Sequence, residues 1–184
     1  MTRTIAVIVG SLRKDSFTRK VARAVEEHAP SLTFTHVEIG DLPHYNQDLD
    51  PDNAPAAWAT FRDAVRGVDG VLFATPEYNR SVPGVLKNAI DVGSRPYGKS
   101  VYATKPGAVI SVSPGALGGF GANHHLRQSL VFLDMPVLAQ PEMYVNNAGK
   151  AFDEHGKVID DGLKSLLAKF GAAFTAWVEQ HPKK

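Results

Sequence analysis

The chain has 184 residues, 43% hydrophobic and 21% charged, with a formal net charge of +1. That size and composition fit one globular domain over residues 1–184, and the balanced charge offers no basic excess for nucleic acid or an anionic membrane surface. Cysteine is absent, which excludes disulfides, thiolate metal sites, iron–sulfur clusters and cysteine nucleophiles, so any redox chemistry needs a bound cofactor.

Residues 5–9 (IAVIV) form a short β-branched run closed by Gly10. Such a run reads as a strand buried on both faces of a parallel sheet. It is too short for a signal segment, and no stretch approaches the length of a membrane span, so a cytoplasmic location is expected. Helical spacing follows over 17–28 and apolar–polar alternation over 32–39. Residues 41–55, rich in Pro, Asn and Asp, read as a loop. A helix is expected over 56–65, a buried strand over 70–75, and a short helix over 83–92 with proline at its opening. A fourth strand is expected over 107–112 and a helix over 121–133. A fifth strand falls within 137–145, interrupted at Pro141, and a closing helix covers 162–178. Strands alternating with helices predict a parallel sheet covered on both faces.

The residues with chemical potential sit where strands end, which is where ligands bind in open parallel sheets. Residues 10–18 (GSLRKDSFT) offer the hydroxyls of Ser11, Ser16 and Thr18, the Arg13 guanidinium and the N–H groups of a helix start. This set suits a phosphate; the plainer alternative is a turn with Ser16 as N-cap. Neither a Walker A motif nor a G-x-G-x-x-G fingerprint is present. Residues 75–83 (TPEYNRSVP) place Tyr78 to cover an aromatic ring and Asn79 to bond its polar atoms; the alternative is a structural turn with Glu77 capping a neighbour. Residues 113–121 (SPGALGGFG) hold four glycines, which let the backbone approach a flat ligand or simply loosen a helix lead-in.

Other residues point to structure. Lys87 and Asp91 lie one helical turn apart and, with Asn88, suit helix positioning or a subunit contact. His124 and His125 diverge on a helix and match no metal-ligand spacing, so no metal is expected. Trp58 and Trp177 read as packing residues.

The segments 10–17 (GSLRKDSF), 75–91 (TPEYNRSVPGVLKNAID) and 125–134 (HLRQSLVFLD) together resemble the NADPH-dependent FMN reductase family, in its quinone or chromate reductase branch. The similarity runs in order along nearly the whole chain. It implies a flavodoxin-like three-layer α/β sandwich around a five-stranded parallel sheet of order 2-1-3-4-5. It also implies FMN as cofactor and NADPH or NADH as co-substrate. Ser11, Arg13, Ser16, Phe17 and Thr18 then hold the phosphate end, Pro76, Glu77, Tyr78, Asn79 and Arg80 line the isoalloxazine, and Ser113, Gly115 and Gly118 meet its pyrimidine side. The chemistry implied is ping-pong hydride transfer through FMN N5, with no catalytic acid or base from the protein. Acceptors of that branch include quinones, chromate, azo or nitro compounds and flavins. Arg80 is placed to steer dinucleotide phosphates or anionic acceptors.

The implied assembly is a homodimer or homotetramer. Gly121 and His124, however, stand in a segment where the branch often carries an aromatic residue and an Arg, which weakens or rebuilds a tetramer contact. The competing readings are a flavodoxin-type electron carrier, a flavin reductase supplying reduced FMN to a monooxygenase, and a non-catalytic nucleotide-binding module. Near-neutral charge and Arg13 in the phosphate loop count against the carrier.

Overall fold

Three apolar runs form the middle of the sheet because each can bury both of its faces. In the computed structural model, which describes residues 2–50 and 52–182, these are β1 (Arg3–Val9), β3 (Gly70–Thr75) and β4 (Gly107–Val112). The flanking strands are β2 (Leu32–His36) and β5 (Met143–Val145), and all pairs are parallel in the order β2-β1-β3-β4-β5. The helices are α1 (Phe17–Glu27), α2 (Ala56–Gly67), α3 (Gly84–Gly93), α4 (Phe120–Phe132) and α5 (Asp161–Gln180). The flavodoxin-like order expected from the sequence is the one observed.

The two-residue period of a strand divides the core. Val7, Val9, Leu72 and Ala74 point to a cluster completed by Val21 and Val25 of α1 and Leu167, Phe170 and Phe174 of α5. Ala6, Ile8, Val71 and Phe73 point the other way, against Trp58 and Phe61 of α2, Leu86 and Ile90 of α3, and Leu126 and Leu130 of α4. A side chain such as Phe73, fully buried, contributes about 2–3 kcal/mol relative to its exposed state.

Helix and strand ends deviate from the sequence reading where polar geometry intervenes. β2 stops at His36 rather than running to residue 39, although Val37 N–H still donates to Val7 O at 3.0 Å. β5 keeps only three residues. Pro136 and Pro141 carry no N–H for a ladder, and upstream of β5 the pairing shrinks to a single bridge between Gly107 and Val137. Both tryptophans are packing residues whose indole N–H groups are satisfied: Trp58 donates to Pro43 O at 2.9 Å and Trp177 to Pro136 O at 3.0 Å. Asn88 is structural too. It accepts from Tyr45 N–H and donates to Leu42 O and Pro43 O, which fastens the 41–55 loop onto α3. Lys87 and Asp91 form an exposed i,i+4 ion pair at 2.8 Å.

Candidate functional site

β1 and β3 are neighbours in the sheet, and the chain leaving β1 turns to the α1 face while the chain leaving β3 turns to the α3 face. The crevice at such a switch point is where open α/β sheets bind ligands, and for this strand order the rule places FMN between β1 and β3. A cleft of about 260 Å³ opens there. Its walls come from three loops at the carboxyl ends of β1, β3 and β4.

The first wall is the turn into α1. Gly10 closes β1, its N–H donating to Ala74 O at 2.8 Å, and the chain then folds over the helix start. Ser16 is the N-cap of α1 and its hydroxyl accepts from Arg19 N–H at 3.2 Å, so the capping alternative holds. That hydroxyl still has its own proton to donate. Ser11 and Thr18 are 4% and 3% exposed, yet among the described residues their hydroxyls make no hydrogen bond. The N–H groups of Phe17 and Thr18, in the first turn of the helix, have no intrahelical acceptor. Arg13 is exposed and unpaired among the described residues. Ser11, Arg13, Ser16, Phe17 and Thr18 all line the cleft.

The second wall follows β3. Pro76, Glu77 and Tyr78 line the cleft. Tyr78 and Ser81 exchange both backbone hydrogen bonds at 3.0 Å, with Asn79 at φ 52° and Arg80 at φ 65° between them. Two central residues with positive φ make this a two-residue turn of the primed type. Glu77 does what the structural alternative proposed. Its side chain is 12% exposed, one oxygen accepting from Ala122 N–H at 3.0 Å in the first turn of α4, the other from Arg80 at 3.1 Å. Gly121 permits this approach, since a Cβ there would lie 3.0 Å from Arg80 O and from Glu77 Oε2. A large side chain at 121 has no room beneath this turn. Asn79 and Arg80 are not among the residues lining the cleft.

The third wall, after β4, supplies Ser113 together with Val112 and Pro114, two neighbours the sequence reading passed over. Their signal was position alone, next to Ser113 at a strand end. Ser113 Oγ accepts from Gly115 N–H at 3.0 Å. Gly115 and Gly118 lie outside the cleft lining. Gly118, at φ 59°, packs on β5: a Cβ there would stand 2.8 Å from the Tyr144 carbonyl carbon. His124 and His125 engage separate partners, the Tyr144 hydroxyl at 2.9 Å and the Ser81 hydroxyl at 2.7 Å. Burial, reinforced by Glu142, pushes the Tyr144 phenol up to about 12, so it stays neutral beside His124.

The donor set fits FMN: hydroxyls open to the cleft and unpartnered among the described residues, the exposed Arg13 guanidinium and a helix start suit a phosphate, and Pro76, Tyr78 and Ser113 line the same cleft. Residues 3–150 match the model of the NADPH-dependent FMN reductase family. The chain is 59% identical to a quinone reductase of Pseudomonas putida over 177 residues, covering 96% of this chain and 95% of that one. It is 46% identical to a 2-hydroxy-1,4-benzoquinone reductase of a Burkholderia species, with 97% of each covered. Among solved structures it superposes on FerB, a flavoenzyme NAD(P)H:(acceptor) oxidoreductase from Paracoccus denitrificans, with TM-score 0.91, 42% identity, and 98% and 100% of the two chains covered. Fold, cleft and relatives agree, and this chain belongs to the NADPH-dependent FMN reductase family.

Proposed function

We propose that the protein is an FMN-dependent oxidoreductase that takes electrons from NADH or NADPH and delivers them to quinones. The observation that carries this reading is the pair of Ser11 and Thr18 hydroxyls, which are unpartnered among the described residues and open into the cleft at the β1–β3 switch point. Each hydroxyl keeps a proton to donate into the cleft, and a phosphate seated on the helix start would accept it.

In this reading Ser11, Ser16 and Thr18 donate to the phosphate, and Arg13 closes over it from solvent. FMN held there would supply the hydride-transfer chemistry between dinucleotide and acceptor. Pro76 and Tyr78 hold one side of the ring slot, and Tyr78, 52% exposed, forms its outer edge. Glu77, on the cleft wall, locks the 76–81 turn onto α4. Ser113 faces them with a hydroxyl proton free to reach a ring oxygen. Arg80, within the turn, is 71% exposed and can meet an incoming anion. No described helix is long and apolar enough to cross a membrane; a cytoplasmic location, where NAD(P)H is at hand, fits this reading. The same proposal makes it a homodimer, with Phe120, Val131 and Phe132 of α4, which are 51%, 72% and 73% exposed, as the apolar face available for pairing. Sedimentation separates that dimer from a homotetramer.

The test is a spectrum. Purified protein mixed with FMN and passed through a desalting column should retain a flavin absorbance band. NADPH or NADH should bleach that band without oxygen, and a benzoquinone should restore it. A colourless protein, or a flavin that NAD(P)H leaves oxidised, ends the reading.

A further inference from the structure

A second hollow, about 480 Å³, lies beside the cleft and takes no part in the roles assigned above. It sits between the end of β5 and the start of α5. Asn146, Asn147 and Lys150 form its polar rim, Leu163 and Leu166 part of its floor. Its connection to the cleft is direct on two sides. The strip 113–116, whose Ser113 and Pro114 line the cleft, is bonded to the hollow's rim: Asn147 N–H donates to Gly115 O at 3.3 Å and Asn146 Nδ2 to Ala116 O at 3.3 Å. Phe17, another cleft residue, reaches the turn that carries Lys150; a Cβ at Gly149 would lie 3.8 Å from Phe17 Cζ. A ligand in the cleft therefore has only this strip to cross to enter the hollow.

The chemistry of the hollow is that of a nucleotide site. Lys150 is exposed and without an acidic partner among the described residues, as a phosphate ligand should be. Asn147 has no side-chain hydrogen bond among the described residues, and Asn146 keeps its amide oxygen free, so both can bond the edge of a base or ribose hydroxyls. Leu163 and Leu166 give apolar surface to a purine. Asp160, also on the wall, uses one oxygen to cap Leu163 N–H at 2.6 Å and leaves the other for a sugar hydroxyl.

We infer that this hollow binds the ADP half of NADH and NADPH, with Lys150 on the pyrophosphate and Asn146 and Asn147 on the nucleoside, while the nicotinamide enters the cleft across the 113–116 strip. The inference rests on the NAD(P)H-oxidising reading and extends it by giving the donor a second anchor. A dinucleotide held at both ends gains affinity that its nicotinamide half alone lacks.

The test compares NADH with reduced nicotinamide mononucleotide, which lacks the adenosine part, as donors to the flavin-loaded enzyme. Wild-type protein should prefer NADH in kcat/KM by about tenfold or more, a preference worth about 1.4 kcal/mol. That preference should fall to under about threefold in Lys150→Glu and in Asn147→Gly, through KM rather than kcat. Asn147 sits at φ 46°, so glycine keeps the backbone conformation while removing the amide. Free ADP-ribose, titrated by calorimetry, should bind wild-type protein and lose that binding in Lys150→Glu. A wild-type enzyme with no preference for NADH, or a preference that survives in both variants, overturns the subsite and leaves quinone reduction standing. If instead no flavin is retained, the function proposed above fails, and the ADP-ribose titration alone decides the hollow: no binding overturns it.

Discussion

The loops leaving β1 and β4 look alike in sequence, since each joins a buried strand to a helix through small and hydroxyl residues, but they use those residues in opposite ways. In the first, the hydroxyls of Ser11 and Thr18 open into the cleft and are bonded to no described residue. In the second, the small and polar groups serve the fold. Ser111 donates to Gly118 O at 2.8 Å, Ser113 accepts from Gly115 N–H, and Gly118 and Gly119, both at positive φ, press against Tyr144 and Ser111. In the site proposed above, a phosphate completes the first loop, whereas most polar groups of the second are already paired within the fold. Glycines in a loop near a site therefore signal close approach, but the partner can be a neighbouring strand instead of a ligand.

This contrast is broken most severely at Gly118. Alanine there must hold a left-handed backbone and push a methyl into the Tyr144 main chain, where the Cβ would lie at 2.8 Å. Strain and overpacking together should destabilise the fold by about 3 kcal/mol, and lower the melting temperature by roughly 10 °C, with or without FMN. Thermal unfolding of Gly118→Ala within a degree or two of wild type would show that the third wall yields to a ligand more readily than its contacts imply.

The next effect should appear only when flavin is present. Arg13 is exposed and unpaired among the described residues, so Arg13→Ala should leave the unfolding of flavin-free protein unchanged. It should weaken FMN by about 2 kcal/mol, roughly 30-fold in Kd, read from quenching of flavin fluorescence. Equal loss of stability and affinity would mean that the first loop, like the third, is part of the scaffold.

Ser16 belongs to both categories and separates them on a smaller scale. Ser16→Ala removes the cap on Arg19 N–H and should cost about 1 kcal/mol of stability. Ser16→Asp keeps a capping oxygen at the same place and should restore most of that stability. It puts a negative charge into the proposed phosphate seat, so FMN affinity should fall further than in the alanine variant. Unfolding curves and flavin titrations on the pair should therefore rank the two variants in opposite orders.

Most of the frame could be read from the sequence because its signals are local. The runs 70–75 and 107–112 coincide with β3 and β4, since a strand buried on both faces leaves a continuous apolar record. Ser16 was legible as a cap because its partner in space, Arg19 N–H, is its neighbour in the chain. Glu77 was harder. Its main partner, the N–H of Ala122, is 45 residues away, and nothing local tells a carboxylate that faces a ring from one that caps a distant helix. The edge strand β5 was blurred because Pro136 and Pro141 remove ladder donors from a segment whose side chains still suit a strand. The hollow at Lys150 left no motif, since its parts come from separate elements that meet only in the folded chain.

The smallest expected effect concerns Arg80, where conformation and charge can be pulled apart. Arginine at φ 65° bears a left-handed conformation that costs a non-glycine residue about 1 kcal/mol or more. Its ion pair with Glu77 returns little because the guanidinium is 71% exposed. Glycine would relieve the strain but enlarge the conformational freedom of the unfolded chain, a loss of about 0.5–1 kcal/mol. The net change for Arg80→Gly should be a stabilisation of about 0.5 kcal/mol at most. Arg80→Ala keeps the strain, gives up the ion pair, and should sit slightly below wild type. Both variants lack the guanidinium, so both should raise the KM for NADPH or for an anionic quinone to the same extent, whichever way their stabilities move. A KM that follows stability, shifting in Arg80→Ala but not in Arg80→Gly, would assign Arg80 to the turn and remove it from the approach of substrate.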